Sequence, residues 1–443
     1  MPRTSGEPLR ICLLTYRGNP RSGGQGVYVR LLSRELAALG HHVDVWSGPP
    51  YPELYPGIGL TRLPSLDLWN ETALLRLPRV SELRDPLNVA EWLRTLLGEF
   101  AEPRMFTHRV ARRFCDFDGH LPYDIVHDNQ SLGPGLLDLR ARLPVVATIH
   151  HPVTMDRKIA LAAAPNMYRR YGLRRWYSFL PMQQRVARAL DRVLTVSQAS
   201  ATDLERDYGI PRARLHIVGN GINLDVFHPH PEIERRCDRL ITTLSTDTPL
   251  KGFSFLLEAL ATLRTTRPEL TLTVIGNTRP RSGTMQQVRR LGLERAIRFS
   301  GHVPAEEIAR GYAESTVAVV PSLYEGFGFP AGEAMACEVP VVSTRAGALP
   351  EVLGNGGEAG MLVQPRSGAS LARGIHELLD APAETRRRMG RAGRRRVETN
   401  FTWRRTAERT VENYREVIAE RASVGARHAP SPALSAHPAG APC

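Results

Sequence analysis

The sequence predicts an α/β protein whose parallel sheets fall into two consecutive domains, and three observations predict it. Short apolar, β-branched runs recur along the chain, separated by helical or loop segments, as a parallel sheet demands. A strand, a glycine-containing loop and a helix follow one another both at Arg10 to Leu39 and at Thr316 to Ala336. Between these halves His228-Pro229-His230-Pro231 interrupts regular structure and places a domain boundary near Asp225 to Asp238.

The bulk properties narrow the class. A chain of 443 residues, 42% hydrophobic and 23% charged, is an ordinary globular protein of two or three domains. No run approaches the ~20 apolar residues of a membrane-spanning helix, and Met1 to Pro8 lacks the apolar stretch of a signal peptide, so a cytoplasmic protein is expected. Cys12, Cys115, Cys237, Cys337 and Cys443 are scattered and form no C-x-x-C pair, which argues against zinc or a disulfide framework. The net charge of +13 favours an anionic partner such as a nucleotide, nucleic acid or membrane surface. Only Lys158 and Lys251 are lysines, so much of that charge reads as arginine-rich composition. No nucleic-acid-reading motif accompanies it, and nucleic acid is not an expected partner.

Taken in order, Arg10 to Thr15 reads as a buried strand, Arg17 to Gly26 as a polar glycine-containing loop, and Val27 to Leu39 as a helix capped by Gly40. Gly24-Gln25-Gly26 lacks the third glycine of G-x-G-x-x-G, which argues against a dehydrogenase. His41 to Trp46 is a second strand. Gly48 to Pro122 is less regular, with an amphipathic segment at Val89 to Phe100. Its Asp116-Phe117-Asp118 spells the metal-binding D-x-D triplet, but no strand pattern places it at a nucleotide site and it reads as coincidence. Asp124 to His127, Val145 to Ile149, Val193 to Val196 and Leu215 to Val218 are further strands. His150-His151 follows one of them, and ligands of open α/β sheets gather beyond the carboxyl ends of strands. A histidine that merely caps the strand is the plainer alternative. Asn166 to Asp191 interleaves six arginines with Tyr168, Tyr171, Trp176, Tyr177 and Phe179. Such a segment suits an anionic membrane or a phosphorylated acceptor, and equally a solvated helix. Ser197 opens a helix that Gly209 ends.

The second half restarts with a strand at Leu240 to Ser245 and a helix from Phe253 to Leu263. Lys251-Gly252 stands just before that helix, where a lysine opposes the helix dipole unless an anion lies between; a phosphate would explain it. Leu270 to Ile275 and Ala296 to Ser300 are strands, and Gly301-His302-Val303-Pro304 leads into a helix bearing Ala305, Ile308 and Tyr312. Thr316 to Val320, Tyr324-Glu325-Gly326-Phe327-Gly328-Phe329-Pro330-Ala331-Gly332-Glu333 and Val339 to Ser343 then read as strand, loop and helix, strand. Pro330 has the φ of a first helical residue, and Gly326 and Gly328 let backbone N–H groups approach a ligand. Glu325 in the loop and Glu333 in the first helical turns can grip two points of one polyhydroxylated ligand. A turn and a short helix with two solvated carboxylates is the plainer reading. Glu384 to Glu398 and Trp403 to Ala419 are the last helices, before a tail of disordered character.

The Glu325 to Glu333 segment resembles the two-glutamate signature of the retaining glycosyltransferases of family 4, the group 1 glycosyl transferases. Gly219-Asn220-Gly221, Ala346 to Val352 and Gly360 to Val363 are similar to further turns of that family, and the resemblance covers about Arg10 to Ile418. It implies the GT-B fold, two Rossmann-like doubly wound parallel-sheet domains facing across a cleft. The divisions it implies are 1–225 on the acceptor side, 226–400 for the nucleotide-sugar donor, 401–421 as a helix returning to the first domain and 422–443 as a disordered tail.

The resemblance further implies a hexosyl transferase that moves a sugar, with retention, from a nucleoside-diphosphate sugar to a hydroxyl of a glycolipid, polysaccharide precursor or small metabolite. Glu325 would contact the donor sugar, Glu333 the ribose, His150 the sugar or phosphate edge and Lys251 the diphosphate, with His150, Lys251 and Glu325 catalytic. Gly24 would lie under the diphosphate and the base near Val303, while Gly326, Phe327, Gly328 and Phe329 complete the donor loop. No metal and no cofactor besides the sugar nucleotide is implied. The family's second phosphate-binding cation, an arginine five or six residues before the lysine, is replaced here by Ser245 and Thr246, with Arg279 or Arg281 as substitutes. A same-fold sugar-nucleotide epimerase and a non-catalytic nucleotide-sugar-binding protein stand as alternatives. Peripheral contact with the inner face of an anionic membrane is a further expectation.

Overall fold

The structure, a computed structural model, describes residues 7–19, 24–68, 76–117, 121–244, 248–278 and 282–428. The first sheet contains β1 (Arg10–Thr15), β2 (His42–Ser47), β3 (Gly59–Arg62), β4 (Ile125–Asn129), β5 (Val145–Ile149), β6 (Arg192–Thr195) and β7 (Leu215–Ile217). The second contains β8 (Arg239–Leu244), β9 (Thr271–Gly276), β10 (Ile297–Phe299), β11 (Val317–Val320), β12 (Val341–Thr344) and β13 (Gly360–Val363). The strand orders are β3-β2-β1-β4-β5-β6-β7 and β10-β9-β8-β11-β12-β13, and the strands of both sheets are parallel. Both orders run outward from the first strand in one direction and then in the other. Each domain is therefore doubly wound, as expected, with a switch point between β1 and β4 and another between β8 and β11.

Alternation along the strands explains why the sheets are covered on both faces. Ile11 and Leu13 join one hydrophobic cluster while Cys12 and Leu14 join another, and in the second sheet Val317 and Val319 separate likewise from Ala318 and Val320. A strand buried on both faces reads as a continuous apolar run, which is why these strands were visible in the sequence.

The stretch expected to be irregular, Gly48 to Pro122, holds β3 and the helices Pro86–Leu96 and Glu102–Phe114. The second helix buries Met105, Phe106, Val110 and Phe114, but its sequence is dense in charge. Two of those charges are buried and paired: Glu102 with Arg17 at 2.7 Å, and Arg109 with Glu91. Such pairing across the fold hides the helix from a reading of apolar spacing. Ser197 caps the helix Gln198–Tyr208 through the Ser200 amide, and Gly209 ends it in the left-handed conformation, as the sequence indicates.

The last helix, Trp403–His428, crosses back to the first domain, where Trp403, Ala407, Val411, Tyr414 and Val417 share a cluster with Ile11, Leu13, Tyr28 and Val43. Arg192 of β6 pairs with Glu416 and Glu420 on it. The helix continues past the expected end at residue 421, so residues 422–428, expected in the tail, are helical; 429–443 lie outside the described residues. Packing against β1 and ion pairs hold the helix as far as Arg421, which pairs with Asp191. Among the described residues no helix is long and apolar enough to cross a membrane.

Candidate active site

The carboxyl ends of the strands of both sheets open onto one cleft of about 600 Å³. Thr243 of β8, Gly276 at the end of β9, Gly301 to Val303 after β10, and Glu325 to Gly328 after β11 form the second-domain wall. Lys251 enters it from the single turn Pro249–Lys251, which ends at Gly252 with φ +61°. A Cβ on Gly252 would lie 2.0 Å from the Pro321 carbonyl oxygen, so this turn rests backbone on backbone against the loop after β11, where Leu323 N–H also donates to Leu250 O at 2.7 Å. That packing brings Lys251 Nζ to 2.8 Å from Glu325 Oε1, which also accepts from Ser322 Oγ at 2.7 Å. Lys251 thus stands on the cleft beside Glu325, with an internal counter-charge.

The helix after this loop is Phe329–Ala336, one residue earlier than Pro330 would indicate, with Gly328 as its N-cap. Glu333 projects from its second turn into the cleft wall. It is half-buried, and burial pushes its carboxyl up to about 7 although the Tyr312 hydroxyl partly offsets this. Phe327 is largely core, packing against Phe329 and Phe401 with ring centroids 5.2 and 5.5 Å away.

The first-domain wall faces it. The helix Gly24–Ala38 begins three residues before the expected start, so Gly24 is in its first turn; a Cβ there would meet the Phe329 ring at 3.7 Å. His150 follows β5, and its Nε2 lies 2.7 Å from Asn129 Oδ1. The Asn129 amide nitrogen donates to Gln25 O, so its oxygen accepts: His150 carries its proton on Nε2 and keeps Nδ1 as an acceptor. Burial, then the neighbouring His151 and His127, lower its pKa to about 3 and keep it neutral. Tyr28 meets it edge-on at 4.5 Å. For His151 burial acts downward, but Asp156, 2.9 Å away, outweighs it and the net shift is upward. Phe100, Trp176 and Phe179 complete this wall.

The domains touch at the loop after β11. A Cβ on Gly326 would lie 2.0 Å from His150 O, a separation only glycine permits, and Gly326 O accepts from Ser197 Oγ at 2.8 Å. Below this, the Glu351 carboxylate accepts from the Gln198 and Ala199 amides, 2.8 and 2.7 Å, at the positive end of the helix Gln198–Tyr208.

Gly24, His150, Lys251, Val303, Glu325, Gly326, Phe327, Gly328, Phe329 and Glu333, the residues singled out from the sequence, all border this one cleft. Ser245 and Thr246, where the second cation was missed, and Arg279 and Arg281, its candidate substitutes, lie outside the described residues. Asp116 of the D-x-D triplet pairs with Arg113 at 2.6 Å and does not border the cleft, while Asp118 lies outside the described residues. Among the described residues no group of three or more His, Cys, Asp and Glu side chains could hold a metal ion. Sequence reasoning missed Thr243, Gln130 and the place of Phe100, Trp176 and Phe179 on the first-domain wall. The first two lie at the carboxyl ends of β8 and β4 and could have been found from that position alone.

Two Rossmann-like domains meeting through the carboxyl ends of their strands around a shared cleft define the GT-B fold. Comparison with known proteins specifies which kind. The family model for "Glycosyltransferase Family 4" matches residues 22–226 and that for "Glycosyl transferases group 1" matches residues 230–396. The MMP alpha-(1->4)-mannosyltransferase of Mycolicibacterium hassiacum is 45% identical over 413 residues, 93% of this chain and 99% of that protein. The D-inositol 3-phosphate glycosyltransferase of Streptomyces avermitilis is 28% identical over 95% of this chain and 91% of that one. Among solved structures, sucrose-phosphate synthase from Thermosynechococcus elongatus superposes with a TM-score of 0.68 at 25% identity, covering 93% of this chain and all of that one. The chain belongs to the family 4, group 1 glycosyltransferases, and it is an enzyme that transfers a sugar from a donor.

Proposed function

We propose that this enzyme transfers a mannosyl group from a nucleoside-diphosphate mannose to a saccharide hydroxyl with retention of configuration, forming an α-(1→4) bond. Its relative's name supports the sugar and the bond. The observation that carries the donor assignment is Lys251 held against Glu325, 2.8 Å apart, on a cleft wall otherwise rich in backbone. A diphosphate entering there meets one ammonium group, the start of the helix Phe329–Ala336 and, across the cleft, the first turn of the helix Gly24–Ala38.

The chemistry follows from where charge develops. As the bond between the sugar C1 and the β-phosphate oxygen breaks, negative charge grows on that phosphate, and Lys251 with the backbone N–H groups stabilises it without reorganisation. The acceptor hydroxyl oxygen bonds to C1 from the face the phosphate leaves, and its proton passes to the departing phosphate. Glu325, fixed by Lys251 and Ser322, is a hydrogen-bonded carboxylate suited to orienting donor hydroxyls. Neutral His150 offers Nδ1 to another. Glu333 accepts from the ribose, and the base rests near Val303. The reading needs no metal ion or cofactor besides the sugar nucleotide.

We place the enzyme in the cytoplasm, with peripheral contact to anionic membrane as part of the reading. Met167, Tyr168 and Tyr171 are exposed on the helix Met167–Trp176, Leu93, Leu96 and Leu97 are exposed nearby, and Arg175 donates to Leu97 O at 3.0 Å between them. Failure to sediment with anionic vesicles at low salt would remove this part.

Incubation with uridine, guanosine and adenosine diphosphate mannoses and a mannoside tests the reaction. An α-(1→4)-linked product with free nucleoside diphosphate is expected, and the productive donor should also protect the protein against thermal unfolding. Isomerised sugar nucleotide formed without acceptor would favour the epimerase instead.

A further inference from the structure

We infer that the acceptor is the uncharged end of a saccharide stacked on the first-domain wall, and not a sugar phosphate. The inference rests on the glycosyl-transfer reading above and concerns the second substrate of the same cleft. Trp176 stacks on Phe100 with ring centroids 5.0 Å apart and planes 28° from parallel, and Phe179 meets Phe100 edge-on at 5.8 Å. The three rings come from separate elements and all border the cleft. Aromatic faces carry the negative part of the ring quadrupole and attract the polarised C–H face of a pyranose, while offering nothing to a phosphate.

Polar groups beside the rings have the same preference. Gln183 is only 2% exposed and donates to Ser131 O at 3.2 Å, yet its Oε1 has no partner. Asp156 binds His151 through Oδ2, and its Oδ1 is buried and also without a partner. Both residues border the cleft. Two buried acceptors left open are costly unless donors fill them, and saccharide hydroxyls are donors. A phosphate dianion would instead bring acceptor oxygens against a carboxylate. Among the described residues bordering the cleft, Lys251 is the sole lysine or arginine and is paired with Glu325 on the opposite wall, and His151 is already engaged by Asp156.

The test compares methyl α-mannoside and its α-(1→4)-linked disaccharide with inositol 3-phosphate and mannose 6-phosphate as acceptors. The glycosides are expected to be used in preference. Trp176→Ala should raise their KM by about tenfold while the donor dissociation constant stays within about twofold, and Trp176→Phe should restore much of the loss. Gln183→Leu should raise KM by about threefold or more through the lost acceptor oxygen. An unchanged KM in folded Trp176→Ala and Gln183→Leu proteins, or preferred transfer to the phosphates, overturns the inference. So does wild-type protein that binds a sugar nucleotide and uses neither acceptor class, which leaves the donor reading standing. Wild-type protein that binds no sugar nucleotide overturns that reading, and this inference with it.

Discussion

The two walls of the cleft are made by different means. The second-domain wall is largely backbone: glycines and strand ends, with Glu325, Phe329 and Glu333 supplied by one stretch of ten residues, Tyr324 to Glu333. The first-domain wall is side chain, assembled from Phe100, Asp156, Trp176 and Gln183, which come from separate elements spread over more than eighty residues. A diphosphate and ribose can be held by a contiguous motif, because strand ends and helix starts already point N–H groups at them. An acceptor sugar needs shaped side chains, and these only packing can bring together.

The comparison is broken most severely at the Lys251–Glu325 pair. Lys251→Ala and Glu325→Ala should each lower kcat by about 10²–10³-fold without unfolding, and the double variant should lose little more, because the pair acts as a unit. Circular dichroism alongside turnover checks this, and near-normal rates in both single variants would mean that the second-domain wall is not where charge is stabilised.

Glu333 sharpens it through pH. Its pKa is raised from 4.5 unfolded to about 7 folded, so the stability it allows at low pH is lost as pH rises from about 4.5 through about 7. Glu333→Gln should therefore melt higher than wild type without ligand at pH 8, with the gap closing below pH 5. The same variant should bind donor about tenfold more weakly at pH 8, since a carboxylate accepts more strongly than an amide. Melting curves across pH, with and without nucleoside diphosphate, measure both effects.

Support of the first-domain wall comes from the last helix. Tyr414 Oη lies 2.5 Å from His127 Nδ1, His127 Nε2 lies 2.7 Å from Thr148 Oγ1, and Thr148 Oγ1 lies 3.0 Å from the hydroxyl of Tyr28, whose ring lies against His150. Burial keeps His127 neutral, with its pKa lowered to about 3. Tyr414→Phe removes the hydroxyl partner of a buried ring nitrogen and should cost about 1–3 kcal/mol in urea unfolding. Its effect on kcat should stay below about fivefold, because no group on the second-domain wall moves. Smallest is Glu351→Ala, which takes a carboxylate from a helix start between the domains and should cost about 0.3–1 kcal/mol. The resulting rise in donor KM, about threefold at low salt, should fade as salt is added.

Much of the fold was legible because fully buried parallel strands write themselves as apolar runs, and Ser197 and Gly209 mark their helix by local hydrogen bonding and a left-handed turn. The second-domain wall was legible for the same local reason: Gly326, Gly328 and Glu333 are separated by turn and helix geometry alone. The helix Glu102–Phe114 was not, since Glu102 and Arg109 are buried through partners elsewhere in the chain. Trp176 was noticed as part of a basic aromatic segment, yet nothing local says that its ring turns inward onto Phe100 while Tyr168 and Tyr171 stay exposed. That choice is made by tertiary packing.

The most direct measurement is a crystal structure with a nucleoside-diphosphate mannose or its diphosphate product bound. The account predicts Lys251 Nζ within about 3 Å of a β-phosphate oxygen, with the ribose hydroxyls on Glu333 and the Gly24 turn facing the diphosphate. A nucleotide bound outside this cleft, or one whose phosphates leave Lys251 bonded only to Glu325, would contradict it.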